Sequence, residues 1–401
     1  MSKSQSLDTP FSFQVKCAPA GQQARTGELV TGHGVVETPV FMPVGTVGSV
    51  KAVTFEQVWD TGSRLILGNT YHLYLRPGHE LIERFGGLHR FEGWDGVLLT
   101  DSAGFQVFSL SSLNRVTEDG VEFRSHLDGS KHFFTPELSM NVQLSLGSDI
   151  VMAFDQCAAY DADPCETARA VERTTRWLHR CKEVFGGRAY RQGWERVLFG
   201  IMQGGVDEAL RRRSATDIVE LDLPGYAIGG LSVGEPTTAM REVTELAAGL
   251  LPPDKPRYLM GVGFPDDILA SVAAGVDMFD CVLPTRMART GTALTRDGRL
   301  VVKNQSYADD ARAIADDCGC PVCRRHSRGY IRHLFQAREI LGATLVTIHN
   351  LHFYQELMAD IRLAIQEGRY ADFAKQGISR WQTGEADRLA AIVSRRKPRV
   401  D

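Results

Sequence analysis

The sequence predicts an α/β protein, a (β/α)8 barrel carrying β-hairpin insertions and a cysteine-bearing subdomain near the C-terminus. Three observations carry that expectation. Eight short apolar runs recur from residue 41 onward, each ending at a glycine or a polar side chain. Helical periodicity fills several of the gaps between them. Three cysteines then crowd into residues 318–323, beyond the last run.

Before the first run, Phe11–Val15 and Glu28–Val36 alternate apolar and polar residues with turn formers between, which predicts an antiparallel segment placed to close the bottom of the barrel. The candidate barrel strands are the region from Phe41 to Gly45, then Arg64–Leu67, Val97–Thr100, Ile150–Phe154, Leu198–Met202, Tyr226–Ile228, Tyr258–Met260 and Met278–Phe279. Together they occupy roughly 240 residues, close to the ~250 typical of a TIM barrel. Thr167–Phe185 and Asp207–Leu221 read as intervening helices. Asp-Gly pairs at 119–120, 128–129 and 297–298 lie between alternating segments and read as hairpin turns inserted into the barrel. After Asn304 the pattern changes to the cysteine cluster, a helix over Gly329–Ile340, a β-rich run from Leu345 to Ile348, and a helix over Leu351–Gln366. Gly384–Asp401 is helix-compatible but ends in Arg395, Arg396, Lys397 and Arg399, which reads first as a solvated tail and second as a nucleic-acid contact. The expected division is a barrel catalytic region with N-terminal antiparallel strands over 12–304, a helical metal-binding subdomain over 305–376, and a basic tail over 377–401.

Composition limits the function classes. With 401 residues, 43% hydrophobic and 23% charged, the chain has the profile of a soluble globular protein. It holds no run of about 18 apolar residues, and Met1–Pro10 is polar, so a membrane role is not expected and the cytoplasm is the expected location. Eight cysteines are too few for a disulfide framework. A net charge of −4 argues against binding nucleic acid by bulk attraction, so any RNA contact must come from a local patch.

In a barrel of this kind chemistry sits at the C-terminal ends of the strands, where the loops converge. Those ends read Asn69, Asp101, Asp155, Gln203, Gly229-Gly230, Gly261 and Asp280. A single aspartate there often only caps the next helix. Three carboxylates in one partly dehydrated cup repel each other, and persist where substrate chemistry uses them. Displacement at an anomeric carbon suits them: one attacks, another moves the proton of the leaving or entering group. Gln203 offers an amide donor and acceptor, Gly229-Gly230 lets backbone approach a planar heterocycle, and Phe105 is a candidate stacking face. Cys318, Cys320 and Cys323 supply three thiolates for a tetrahedral zinc, with His326, His333, His349 and His352 as candidates for the fourth position. With four protein ligands such a metal is structural.

The series MPVGT, LGNTYHL, RPG, GGLH, LTDSAGFQVFSL, DGS, LGSDIVMAFD, QGG, GYAIGGLSVGE, YLMGVG, DMFDCVLPTR and CxCxxC followed by HN resembles bacterial tRNA-guanine transglycosylases, from about residue 12 to residue 376. The resemblance implies that Asp280 is the nucleophile of a covalent aspartyl-ribosyl intermediate and Asp101 the general acid/base. It implies that Asp155, Gln203, Gly230 and Leu231 read the base between Phe105 and Met260, with Glu235 supporting the Leu231 peptide. It selects His349 as the fourth zinc ligand. The partners it implies are a tRNA anticodon loop, whose wobble guanine must be flipped out, and a 7-deazaguanine base; Cys157 and Val233 match the bacterial pattern for 7-aminomethyl-7-deazaguanine. Arg286 and Arg289 are expected to hold phosphates, and a homodimer to form through Phe91, Tyr330 and His333. Ala103, Gln156, Ala158-Ala159, Phe264, Met287 and Thr290 depart from the family pattern around the pocket and the RNA track without removing a catalytic group. The competing readings are a related transglycosylase with another deazaguanine or nucleic acid, and a catalytically silent tRNA-binding subunit, against which the retained aspartates argue.

Overall fold

A computed structural model describes residues 9–104, 114–186 and 193–396. It begins with an antiparallel sheet of β1 (Ser12–Cys17), β2 (Thr26–Thr31) and β3 (Gly34–Thr38), ordered β1-β2-β3. The barrel then starts with β4 (Val40–Met42) and β5 (Val44–Gly45), one extended stretch interrupted at Pro43, followed by β6 (Leu65–Gly68) and β7 (Val97–Thr100). An inserted antiparallel sheet follows: β8 (Asn114–Val116), β9 (Val121–Arg124) and β10 (Lys131–Phe134). The barrel resumes with β11 (Ile150–Met152), β12 (Val197–Met202), β13 (Gly225–Ile228), β14 (Arg257–Leu259) and β15 (Met278–Asp280).

All barrel pairings are parallel, and the sheet closes because β4 pairs with β15 while β5 pairs with β6. Proline has no N–H to give, but its carbonyl still joins the ladder, accepting from Leu67 N at 2.9 Å. β4 and β5 therefore act as one strand position, and the eight expected strands are all present.

Alternation sorts each strand's residues between two packed layers. Val40, Met42, Val44, Leu65, Leu67, Val97, Leu99, Ile150, Met152, Val197, Phe199, Ile201, Ala227, Tyr258 and Met278 fill the interior, and Leu29 and Val36 of the N-terminal sheet join them. Phe11 meets Phe199 edge-on at 6.2 Å. The N-terminal strands thus seal one end of the barrel, as the sequence predicts. The intervening residues, among them Phe41, Ile66, Leu98, Val151, Leu198 and Phe279, pack outward beneath the helices. The expected helices run over Pro164–Gly186 and Glu208–Val219, the second capped by the Asp207 carboxylate. All three Asp-Gly pairs lie at strand-to-strand turns, the last between β16 (Thr292–Thr295) and β17 (Gly298–Val301).

One local expectation near the C-terminus is corrected. Leu345–Ile348 is not β-structure but lies inside a helix running over Ile340–Gln366. Val346 and Thr347 are β-branched, yet Leu345 and Val346 bury against Ala288, Val302, Ile314 and Ile331, and that packing outweighs a weak local preference. The helix-compatible stretch from Gly384 belongs to one helix that runs over Tyr370–Arg396. A Cβ at Gly384 would stand 1.9 Å from the Asp297 carbonyl, so the glycine lets the β16–β17 turn rest against the helix. Glu385 beside it takes Arg299 and Arg388.

The Ile340–Gln366 helix returns to the barrel where the first and last strands meet. Tyr354 stacks on Phe41 at 4.1 Å and donates to the Gly263 carbonyl; Gln355 and Arg362 donate to the Phe41 and Pro39 carbonyls at 3.2 and 2.9 Å. Among the described residues no helix is long and apolar enough to cross a membrane.

Candidate active site

Inward parity carried past the strand ends brings Asn69, Asp101, Gln203, Gly229, Met260 and Asp280 to one mouth of the barrel. Asp155 does not follow that parity. β11 stops at Met152, two residues before the expected end, and the irregular Ala153–Phe154 step lets Asp155 turn in.

Asp280 ends β15 beside Tyr258 of β14. Its Oδ1 accepts from the Tyr258 hydroxyl at 2.6 Å and from Gly261 N at 2.8 Å. Among the described residues nothing hydrogen-bonds Oδ2, so one oxygen of a firmly oriented carboxylate stays available. Burial raises the Asp280 pKa, and the two donors oppose that rise. Burial and the adjacent Asp280 charge keep the Tyr258 hydroxyl protonated.

Asp101 ends β7. Its Oδ1 accepts from Thr70 N at 2.9 Å and Ala103 N at 3.2 Å, its Oδ2 from the Asn69 amide, and its carbonyl from the Thr70 hydroxyl at 2.6 Å. Burial pushes its carboxyl up to about 6; the three donors pull down, and the nearby Asp280 charge adds to the rise. An acid with that affinity can hold or release a proton near neutral pH. Ala103 adopts φ 71°, a left-handed conformation that costs a residue with a Cβ about 1 kcal/mol, and in return its N–H reaches Asp101.

Asp155 is joined to Gln203 across the mouth, Oδ2 accepting from the Gln203 Nε2 at 2.7 Å and Oδ1 from the Ser102 hydroxyl at 2.8 Å. Burial pushes its carboxyl also up to about 6. Gly229 and Gly230 lie flat against the same amide: a Cβ on either would approach Gln203 within 2.7 and 2.4 Å. The result is a contiguous array of carboxylate, amide and bare backbone, beside two carboxylates that differ in their access.

The family model described as queuine tRNA-ribosyltransferase matches residues 20–383. This chain belongs to the queuine tRNA-ribosyltransferase family. Curated relatives of that name are 57% identical over 92% of the chain and 99% of the relative in Pelotomaculum thermopropionicum, 54% over 94% and 100% in Desulforamulus reducens, and 54% over 90% and 93% in Staphylococcus aureus.

The other residues that the family resemblance singles out have the following surroundings. Leu231 is buried and Met260 half-buried at the same mouth. The Glu235 carboxylate accepts from Ser232 N and, at 2.9 Å, from Val233 N, so it holds the N–H of the Leu231–Ser232 peptide. Arg286 and Arg289 are exposed, one helical turn apart on Leu283–Arg289 just beyond Asp280, and neither makes an ion pair among the described residues. Phe105 lies outside the described residues. Of the departures, Gln156 takes Arg173 at 2.6 Å and Phe264 lies under the Arg299 guanidinium.

Cys318, Cys320, Cys323 and His349 converge, their ligand atoms all within 4.8 Å of one another. The three sulfurs lie 3.6, 3.6 and 3.3 Å from His349 Nδ1, the edge lengths of a tetrahedron around an ion with bonds of about 2.0–2.3 Å. His349 Nε2 donates to the Leu294 carbonyl at 2.9 Å, which turns Nδ1 toward the thiolates. His326, His333 and His352 do not belong to this group of four.

Three contributors escaped the sequence reading. Ser102 follows Asp101 directly and passed as loop. Tyr258 opens a candidate strand, and its inward parity was the available signal. Arg211 sits in an Arg211-Arg212-Arg213 run that reads as solvated charge, although its spacing from Ser214, Ala215 and Ile218 puts it on the buried face of its helix.

Proposed function

We propose that this chain is a tRNA-guanine transglycosylase that replaces the wobble guanine of tRNA with 7-aminomethyl-7-deazaguanine, a step of queuosine biosynthesis. The observation that carries it is the Asp280 carboxylate, held at Oδ1 and open at Oδ2, with a protonatable Asp101 close by. Asp280 Oδ2 attacks C1′ of the wobble nucleotide; the C1′–N9 bond breaks and guanine leaves, taking its proton from Asp101. The incoming deazaguanine gives its N9 proton to the Asp101 carboxylate, and N9 then attacks C1′ and releases Asp280.

Asp155, Gln203, Gly230 and Leu231 read the base, which stacks between Met260 and Phe105. Arg286 and Arg289 hold backbone phosphates, positioning the strand without reading its sequence. Cys318, Cys320, Cys323 and His349 bind a zinc ion whose four ligand places are all protein, so it supplies structure and no chemistry. The barrel region 12–304, the zinc subdomain 305–376 and the segment beyond it act together, in the cytoplasm, as a homodimer in which Phe91, Tyr330 and His333 contribute an aromatic interface.

The test is incorporation of labelled guanine into tRNA. Asp280→Asn should abolish it, lowering the rate by at least about 10³-fold, because an amide oxygen does not form the ester. Exchange at the unmutated rate would refute the proposal.

A further inference from the structure

Behind the base-reading loop lies an arginine with no solvent exposure, Arg211. Its Nε donates to the Gly205 carbonyl at 2.9 Å, Nη1 to the carbonyls of Met202 at 3.0 Å and Gly229 at 2.7 Å, and Nη2 to that of Gly230 at 3.3 Å. One guanidinium thereby ties together the chain leaving β12 and the chain leaving β13. It makes no ion pair among the described residues. A buried cation normally keeps a carboxylate in contact, because losing its hydration is costly. Here four carbonyl dipoles take that place, with the Glu235 carboxylate as an opposing charge, and a pKa lowered to about 10 by burial leaves the group charged at neutral pH.

The same helix face carries Ser214, whose hydroxyl accepts from Gln203 N at 3.1 Å. Arg211 and Ser214 therefore hold both sides of one unit. Arg211 fixes the glycines, and Ser214 fixes the backbone of the glutamine whose amide those glycines touch. Gly229 and Gly230 leave no room for a side chain between their backbone and the Gln203 amide, and that amide is bonded to Asp155. Planar, fixed donors such as a guanidinium are suited to this cross-linking, and an ammonium on a flexible stem is not.

We propose that Arg211 is a positioning residue for base recognition: by cross-linking the Met202, Gly205, Gly229 and Gly230 carbonyls it holds the Asp155–Gln203–Gly230 array in the plane of a bound purine. This rests on the reading of that array as the base site. Arg211 touches no reacting atom, so its loss should appear in affinity for the base far more than in the chemical step or in tRNA binding.

The experiment measures guanine binding by titration calorimetry, tRNA binding by gel shift, and kcat and KM for guanine exchange, for the full-length protein and for Arg211→Met, Arg211→Lys and Gln203→Ala. The expected result for Arg211→Met is a guanine Kd and KM raised at least tenfold, with tRNA Kd and kcat within about threefold and the circular-dichroism spectrum unchanged. Arg211→Lys, which keeps a buried cation, should fall between the two; where Arg211→Met does not fold, Arg211→Lys decides. Wild-type guanine affinity in a folded Arg211 variant, with Gln203→Ala weakened, would overturn the positioning role alone. Wild-type affinity in both would overturn the base-site reading. Loss of guanine and tRNA binding together would reduce Arg211 to a general structural residue and also overturn the proposal.

Discussion

Replacing Asp155 with asparagine should stabilise the protein at neutral pH while weakening its hold on a base. Burial pushes the Asp155 carboxyl from an ordinary 3.8 up to about 6, even with Ser102 and Gln203 donating to it. The unfolded chain loses this proton near pH 4 and the folded chain near pH 6. Between those values the folded state binds more protons, so stability falls as pH rises through the window and the deficit is complete above it. A shift of about two units, at about 1.4 kcal/mol each, makes that deficit roughly 3 kcal/mol. Asparagine removes the charge and keeps the shape. Ser102 can still donate to its oxygen, but Gln203 must turn its amide over to accept from the new N–H₂, a rearrangement costing about 1 kcal/mol. The net gain is about 2 kcal/mol at pH 7.5, or roughly 2–4 °C in melting temperature for a chain of this size. At pH 4 the deficit is gone, and the variant should be slightly less stable than the parent. Differential scanning fluorimetry of both proteins from pH 4 to 8 reads the crossover. A stability difference that does not change with pH would refute the reasoning.

Tyr258→Phe removes a hydrogen bond that favours ionised Asp280, so the Asp280 pKa should rise further; because attack needs the carboxylate, the acid limb of kcat/KM for guanine exchange should move up by about one pH unit. An acid limb that does not move would count against Asp280 as the group that sets it. For the metal, elemental analysis should find about one zinc per chain, and His349→Ala should lose most of it together with thermal stability. A metal-free wild-type protein melting at an unchanged temperature would reject the zinc assignment.

Much of this was legible in the sequence because barrel strands end where apolar runs end. Asp101, Gln203 and Asp280 each close such a run at inward parity, so their convergence follows from strand geometry once the barrel is assumed. Asp155 arrives at the same mouth by a different route: it was legible because the apolar run Ile150–Phe154 ends there, although simple alternation from Met152 would have sent it outward. Arg211 was hidden by its neighbours: Arg212 and Arg213 are solvated, and a run of three arginines gives no local hint that one is swallowed whole. Leu345–Ile348 misled in the opposite sense, its β-branched residues announcing a strand where burial demanded a helix. His349 could not be chosen among four histidines by spacing, because the ligand arrives on a helix from outside the cysteine loop.

The seam where β4 and β5 lie between β15 and β6 also bears on how the molecule is made. On the ribosome, β4 emerges and must wait, its outer edge bare, until Met278–Asp280 has been synthesised. At about 5–20 residues per second, the intervening stretch of roughly 240 residues takes on the order of 12–50 s. The helix bearing Tyr354, Gln355 and Arg362 comes later still and fastens over the join from outside. Nascent chains stalled before residue 280 should therefore present an open sheet edge to chaperones, and release from that custody should coincide with translation of the last strand.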